Sequence, residues 1–258
     1  MKGEQGMIQQ KPRRFVISKW TKTKVLLGCN EVRPYIPDTQ RFSKASLRTM
    51  LKLYGMVYVK PEKGTHGKGV IRVEQRGNED YTYQHGTKVS RFQGYEALYS
   101  SLLRQTNKRS YLVQKGIQLM KYKNKRFDVR VMVQLSPTGS WETTGFLGKV
   151  AHSGKIVTNY NSGGKIMDVQ KLLGEHLSSQ DITKVLNQLD GIGVATAKHL
   201  YKSYPGIQQI GLDIGFDRYW VPWIIEVNTN PDPYAFRLIS DKSMYKKVMR
   251  YKRAALKS

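Results

Sequence analysis

Asp213, Glu226 and Asn228 are the residues whose types and spacing first suggest chemistry. They lie in residues 210–231, IGLDIGFDRYWVPWIIEVNTNP, whose alternation predicts two strands joined by a tight turn. Ile210, Leu212, Ile214 and Phe216 form an apolar row on the first strand, and Ile225 and Val227 are its counterparts on the second. Residues two apart share a strand face, so Asp213 falls opposite the row while Glu226 and Asn228 project together. Folding the hairpin about Tyr219 and Trp220 sets Asp213 across from Glu226. Two carboxylates held face to face repel unless a cation lies between them, and an oxygen-only trio suits magnesium or manganese. The plainer alternative is a half-solvated sheet whose acidic residues meet only water. The exit from Asn228 to Pro233 ends the strand just past the polar cluster, where a site can open.

A second candidate is the glycine-rich turn after Lys60. Residues 55–61 predict a β-branched strand, residues 70–74 another, and Gly64, Thr65, His66, Gly67, Lys68 and Gly69 lie between them. Glycines at this density let the backbone approach a ligand and aim its N–H groups at it. Lys60, Lys63 and Lys68 favour an anion over an ordinary turn. The pattern is not a Walker A loop, because it returns to a strand instead of opening a helix.

The remaining elements must position these residues. Residues 14–18 predict one short strand in a solvated basic arm, and Ser43 caps a helix reaching Tyr54 with Leu47, Met50, Leu51 and Tyr54 as its buried stripe. Residues 81–84 and 88–92 predict exposed strands, and residues 94–105 a helix. Residues 111–117 predict a buried strand running into Gly116. Residues 127–134 predict a strand with Asp128 and Arg130 on one face, and residues 141–150 its hairpin partner, ending near Lys149. Residues 158–164, TNYNSGG, have loop chemistry. Asp181 is expected to cap a helix through Leu189, with residues 192–204 continuing it or forming a second helix across Gly191 and Gly193. A basic helix follows Asp241, with Met244, Val248 and Tyr251 turned inward.

Composition limits the class. The 258 residues suffice for a real core, and 39% hydrophobic with 24% charged residues is an ordinary globular balance. Lys and Arg number 44 against 19 acidic residues, a net charge of +25, which predicts attraction to polyanions: nucleotide phosphates, acidic polymers, nucleic acid or an anionic surface. Cys29 is the single cysteine, so no intrachain disulfide forms, and no Cys/His cluster has zinc spacing. No stretch has the apolar length of a signal peptide or a membrane span, which predicts a protein kept in the cytoplasm unless a partner recruits it to a surface.

In order along the chain, VYVKPEKGTHGKGV, YLVQKGI, RFDVRVMVQ, TNYNSGG, GLDIGFD and WIIEVNTNP resemble the ATP-grasp superfamily, and look most like its YheC/YheD branch associated with the bacterial endospore coat. The resemblance implies an α+β fold in which two α+β subdomains clamp ATP. It divides the chain into a shortened N-terminal region (1–54), a small subdomain with the glycine-rich loop (55–120), a large subdomain with the metal site (121–240) and a basic C-terminal helix (241–258). It implies that Lys60 reaches the nucleotide phosphates, that residues 64–69 cover them, and that Gln114, Lys115, Gly116 and Ile117 form the hinge bonded to adenine. It places Asp128 near ribose, Arg130 and Lys149 near phosphate or acyl phosphate, Thr158 and Asn159 near the γ-phosphate, and magnesium on Asp213, Glu226 and Asn228. The implied activity is ATP-dependent ligation of a carboxylate to an amine or thiol through an acyl phosphate. A protein or peptide end, or an acidic polymer, could serve as substrate. Two other classes stay open: a spore-coat interaction protein that binds nucleotide without turnover, and a nucleic-acid-binding protein, against which no recognised module appears. The second phosphate-binding lysine usual in such enzymes has only Lys44 as a candidate, and Lys115 stands where many relatives have an acid.

Overall fold

The computed structural model describes residues 15–107 and 109–255. Of the basic arm expected over residues 1–30, residues 1–14 lie outside the described residues, and the rest is not a solvated arm. Residues 15–18 form no strand. Val16 instead exchanges hydrogen bonds with the Thr229 hydroxyl, its N–H donating at 2.8 Å. A helix absent from the sequence expectation follows, α1 (Lys19–Leu27), capped by the Ser18 hydroxyl accepting from the Thr21 N–H. Its apolar pattern is weak because one of its two buried residues is a lysine, Lys22, alongside Leu26.

The first sheet contains β1 (Thr39–Arg41), β2 (Met56–Pro61), β3 (Ile71–Gln75), β4 (Asp80–His85), β5 (Lys88–Gln93) and β6 (Tyr111–Lys115), in the antiparallel order β1-β6-β2-β3-β4-β5. Helices α2 (Lys44–Tyr54) and α3 (Tyr95–Thr106) cover it. Ser43 caps α2 as expected, in a reciprocal pair with Ser46, and Leu47, Met50 and Leu51 are buried. Tyr54 is only half-buried. The expectation of an exposed β4 is corrected: Tyr81 and Tyr83 are core residues, since α3 lies over them and Ser101 meets the Tyr83 hydroxyl at 3.0 Å. Only the edge strand β5 faces solvent over most of its length.

The second sheet contains β7 (Lys121–Tyr122), β8 (Lys125–Leu135), β9 (Trp141–Val150), β10 (Lys165–Met167), β11 (Gln209–Phe216) and β12 (Pro222–Asn228). Its order is β10-β9-β8-β11-β12, all antiparallel, with β7 paired to β8. α4 (Val169–Leu173), α5 (Ser179–Ser203) and α1 pack on the face that carries Val129, Val131 and Val133. α6 (Lys242–Ala255) and a 3-10 turn at Tyr234–Leu238 cover Met132 on the other face. α6 turns Val248 and Tyr251 inward, as the sequence predicts.

α5 departs from expectation at its cap and, of the two courses left open beyond Leu189, takes the continuous one. Its cap is Ser178, whose hydroxyl accepts from the Asp181 N–H, and the helix runs unbroken through Gly191 and Gly193. A Cβ at Gly193 would stand 2.9 Å from a Val133 methyl, so this glycine brings helix and sheet together and does not break the helix.

Candidate functional site

The site begins as register. Across the second sheet Lys149 pairs with Asp128, Arg130 pairs with Asp213, and Asp213 pairs with Glu226, so five charged residues share one face over four strands. The alternation of β8 explains why: its odd residues enter the core beneath α5, which leaves Asp128 and Arg130 on the open face. Just beyond Asp213 the pairing shifts, Ile214 meeting Ile224, so Ile225 is an extra bulged residue. The bulge corrects the expected apolar row. Ile224 and Val227 enter the core, while Ile225 lines the cleft and its carbonyl accepts from Lys60 Nζ at 3.0 Å.

The row faces β2, β6 and the glycine-rich loop across a cleft of about 890 Å³, its open mouth included. Lys60, Gly64, Thr65, Gly67, Lys68, Gln114, Lys115, Ile117, Asp128, Lys149, Thr158, Asn159, Asp213 and Glu226 all line it. Gly69, Gly116 and Asn228 do not. His66 and Arg130 open instead onto an adjoining cavity that also includes Lys149 and Asn159. The loop is seated against the second sheet's side. Gly67 has φ 69°, a Cβ there would meet Asn159 Oδ1 at 2.6 Å, and the Ser162 hydroxyl donates to the His66 carbonyl.

The charges are balanced unevenly. Arg130 grips Asp213 with two bonds, Nε to Oδ1 at 2.6 Å and an Nη to Oδ2 at 3.1 Å, and Lys149 adds a contact to Oδ2 at 2.9 Å. Burial pushes the Asp213 carboxyl up, but Arg130 and then Lys149 outweigh it and hold the acid below its ordinary range. Lys149 also touches Asp128 Oδ1 at 2.9 Å, and the Thr158 hydroxyl donates to Asp128 Oδ2. Burial raises the Asp128 carboxyl, with Asp213 adding to the rise, and Lys149 opposes it. Oδ1 of Asp128 has the ionic contact but no aligned hydrogen bond. Thus the two facing carboxylates do not confront each other bare: the chain's own cations neutralise Asp213, and Lys19 lies 3.2 Å from Glu226.

Lys60 is buried against neutral partners, the Gln114 amide oxygen at 2.6 Å and the Ile225 carbonyl. Burial lowers its ammonium to about 8, Glu226 opposing and Lys19 and Lys22 assisting. The Gln114 side chain is thereby committed to Lys60 and, through its NH₂, to Thr39. Lys115 places its ammonium 4.5 Å from the Trp223 ring centroid.

Lys19 is the functional candidate missed in the sequence. It joins the Gly64 carbonyl, at 2.8 Å, to Glu226, and it lines the cleft beside Lys60. Lys44, the one candidate for the second lysine, is exposed and pairs with Glu96 at 2.8 Å. The available signal was Ser18, a capping residue directly ahead of a run without glycine or proline.

Two sheets closing on a charged cleft, with a glycine-rich loop seated across it, define an ATP-grasp domain. The chain belongs to the YheC/D-like ATP-grasp family, whose sequence profile matches residues 11–254. It is 24% identical over 222 residues to the endospore coat-associated protein YheD of Bacillus subtilis (strain 168), covering 83% of this chain and 48% of that protein. It is 22% identical over 221 residues to the endospore coat-associated protein YheC of the same organism, covering 84% and 61%. The chain therefore spans about half to three-fifths of the length of these relatives.

Proposed function

We propose that the chain binds ATP with magnesium, or manganese, in this cleft and ligates a carboxylate to an amine or thiol. The observation that carries the reading is the charged row from Lys149 to Glu226 facing Lys60 and the glycine-rich loop across a single cleft. Lys60 and Lys19 serve the phosphates, residues 64–69 cover them, and the backbone of Gln114, Lys115, Gly116 and Ile117 meets adenine. Asp128 lies at the ribose, where its buried carboxylate can accept from a hydroxyl. Thr158 and Asn159 border the γ-phosphate.

Asp213, Glu226 and Asn228 offer only oxygen atoms, the donor set a hard cation takes, and a divalent ion there would relieve Arg130, Lys149 and Lys19 of the charge they now balance. A metal held there by Asp213, Glu226 and Asn228 would supply neutralisation of the nucleotide's phosphate charge. A substrate carboxylate attacks the γ-phosphorus as ADP leaves, and the amine or thiol then displaces phosphate from the acyl carbon. The chain's contribution is positioning and charge: Arg130 and Lys149, freed from Asp213, neutralise the transferred group. The setting we propose is the endospore coat, from the description carried by both relatives.

Titration calorimetry of ATP with and without magnesium tests this, on the native chain and on Asp213→Asn/Glu226→Gln. Binding that requires the metal and weakens at least about tenfold in the double variant supports the reading. Binding indifferent to metal and substitution sinks it. The existing saturation of Asp213 by two cations favours one second reading, a coat interaction protein that binds nucleotide without metal or turnover. Metal-free binding with no ADP release would single it out.

A further inference from the structure

The outer wall of the second cavity is the feature that the nucleotide reading leaves unused. The cavity encloses about 1130 Å³, open to solvent, and it joins the cleft through Lys149 and Asn159. Its outer wall comes from Tyr160 and from the 3-10 turn Tyr234–Leu238. Tyr160, Tyr234 and Leu238 are each more than half exposed, an unusual concentration of apolar surface on a chain this charged. Between them stands Arg237, exposed, whose guanidinium has no partner among the described residues. The one wall carboxylate, Asp232, accepts from the Tyr234 N–H at 2.9 Å.

α6 extends this wall. Gln134, on the same face of β8 as Arg130, donates to the Val248 carbonyl, so helix and charged row share one side of the sheet. Lys242 donates to the carbonyls of Arg237 and Ile239 at 2.7 and 2.9 Å, and the Lys252 ammonium lies 5.2 Å from the Tyr234 ring centroid. The two lysines are about 15 Å apart along the helix, yet both reach the turn that lines the cavity. α6 carries Lys242, Lys246, Lys247, Arg250, Lys252 and Arg253 and no acidic residue, and among the described residues its one ion pair joins Lys247 to Glu142 at 3.6 Å. A path of cations thus leads from α6 past Arg237 to Lys149.

We propose that this cavity binds the carboxylate substrate, and that the substrate is an acidic peptide. Its reactive carboxylate lies at Lys149 and Asn159, a neighbouring carboxylate pairs with Arg237, and further ones follow α6. The proposal rests on the ligase reading of the cleft, and it is that reading which favours peptide over nucleic acid. Both are polyanions, but only the peptide brings a carboxylate to the γ-phosphorus. The exposed Tyr160, Tyr234 and Leu238 also give glutamate methylenes and flat peptide groups an apolar surface to pack on.

The test is fluorescence anisotropy with fluorescein-labelled hexaglutamate on the full chain, beside single-stranded oligothymidylate of equal charge, with ATP titrated in parallel. Arg237 is exposed and Lys252 half-buried, both outside the core, so Arg237→Gln and Lys252→Gln leave it intact, and Lys252→Gln is expected to weaken hexaglutamate less than Arg237→Gln does. Lys184→Gln, on α5, makes the same charge change elsewhere. The expected result is hexaglutamate bound more tightly than the oligonucleotide, about tenfold weaker with Arg237→Gln, and unaltered with Lys184→Gln. Equal binding by all variants, or preference for the oligonucleotide, overturns the peptide site even where metal-dependent ATP binding holds. Arg237-dependent hexaglutamate binding without ATP binding would instead leave the peptide site standing and remove the ligase.

Discussion

The two walls of the cleft bury their charges equally and balance them oppositely. On the first sheet Lys60 is 7% exposed, and its bonded partners are an amide oxygen and a backbone carbonyl. On the second sheet Asp213 is 4% exposed, and it holds an arginine by two bonds and a lysine by a third. Burial therefore lowers the Lys60 ammonium to about 8, while cations keep the Asp213 carboxylate ionised. The first wall lacks an anion; the second already has its counter-ions and can only exchange them. A polyphosphate suits the first, and a divalent metal suits the second only by displacing side chains.

The largest effect that would break this contrast is at Asp213. Asp213→Asn leaves the half-buried Arg130 without its carboxylate partner and Lys149 with Asp128 alone, and a loss of about 3 kcal/mol is expected in chemical denaturation. A loss under about 1 kcal/mol would mean that the second wall is solvated after all. Next is Lys60. Lys60→Met removes a buried charge whose bonded partners are neutral but leaves the Gln114 and Ile225 oxygens without that donor, so stability should change by less than about 2 kcal/mol, while ATP affinity should fall about thirtyfold by calorimetry. An unstable variant would show that the first wall depends on its cation for folding.

The smallest effect sharpens the contrast by pH. Lys60 and Lys22 both titrate at about 8 in the folded chain, against 10.5 as the ordinary value, with burial the first cause for each. Between those values the unfolded chain holds protons that the folded chain has released, so the two lysines' contribution to stability rises with pH from about 8 and is flat below it. Lys22→Met should reduce that slope by no more than about 1.4 kcal/mol per pH unit. Parallel curves for the native and Lys22→Met chains, followed by thermal unfolding from pH 7 to 9.5, would place Lys22 in water.

Much of this arrangement was legible because strands have a period of two. Alternation alone puts Asp128 with Arg130 and Asp213 opposite its apolar row, and the turn at Tyr219 and Trp220 sets Asp213 against Glu226. Ser43 was legible as a cap for a similarly local reason. Ile225 was misjudged because a bulge has no signature in hydrophobicity, and the course of α5 stayed open because a glycine that lets a helix approach a sheet looks the same as one that ends it. α1 escaped notice because its buried side includes Lys22, which any hydrophobic pattern counts as solvent-facing.

The sequence by itself determined the faces: which residues of each strand point together and where most caps and turns fall. Those properties follow from dihedral preferences and spacing within a few residues. Only the tertiary structure decided the partners. Arg130 meets Asp213 across 83 positions, Lys60 meets the Ile225 carbonyl across 165, and Lys19 reaches Glu226 from a helix near the start of the described chain. Such pairings depend on which strands lie side by side and on a core that forces charges to share a cleft, and neither is encoded in any single stretch.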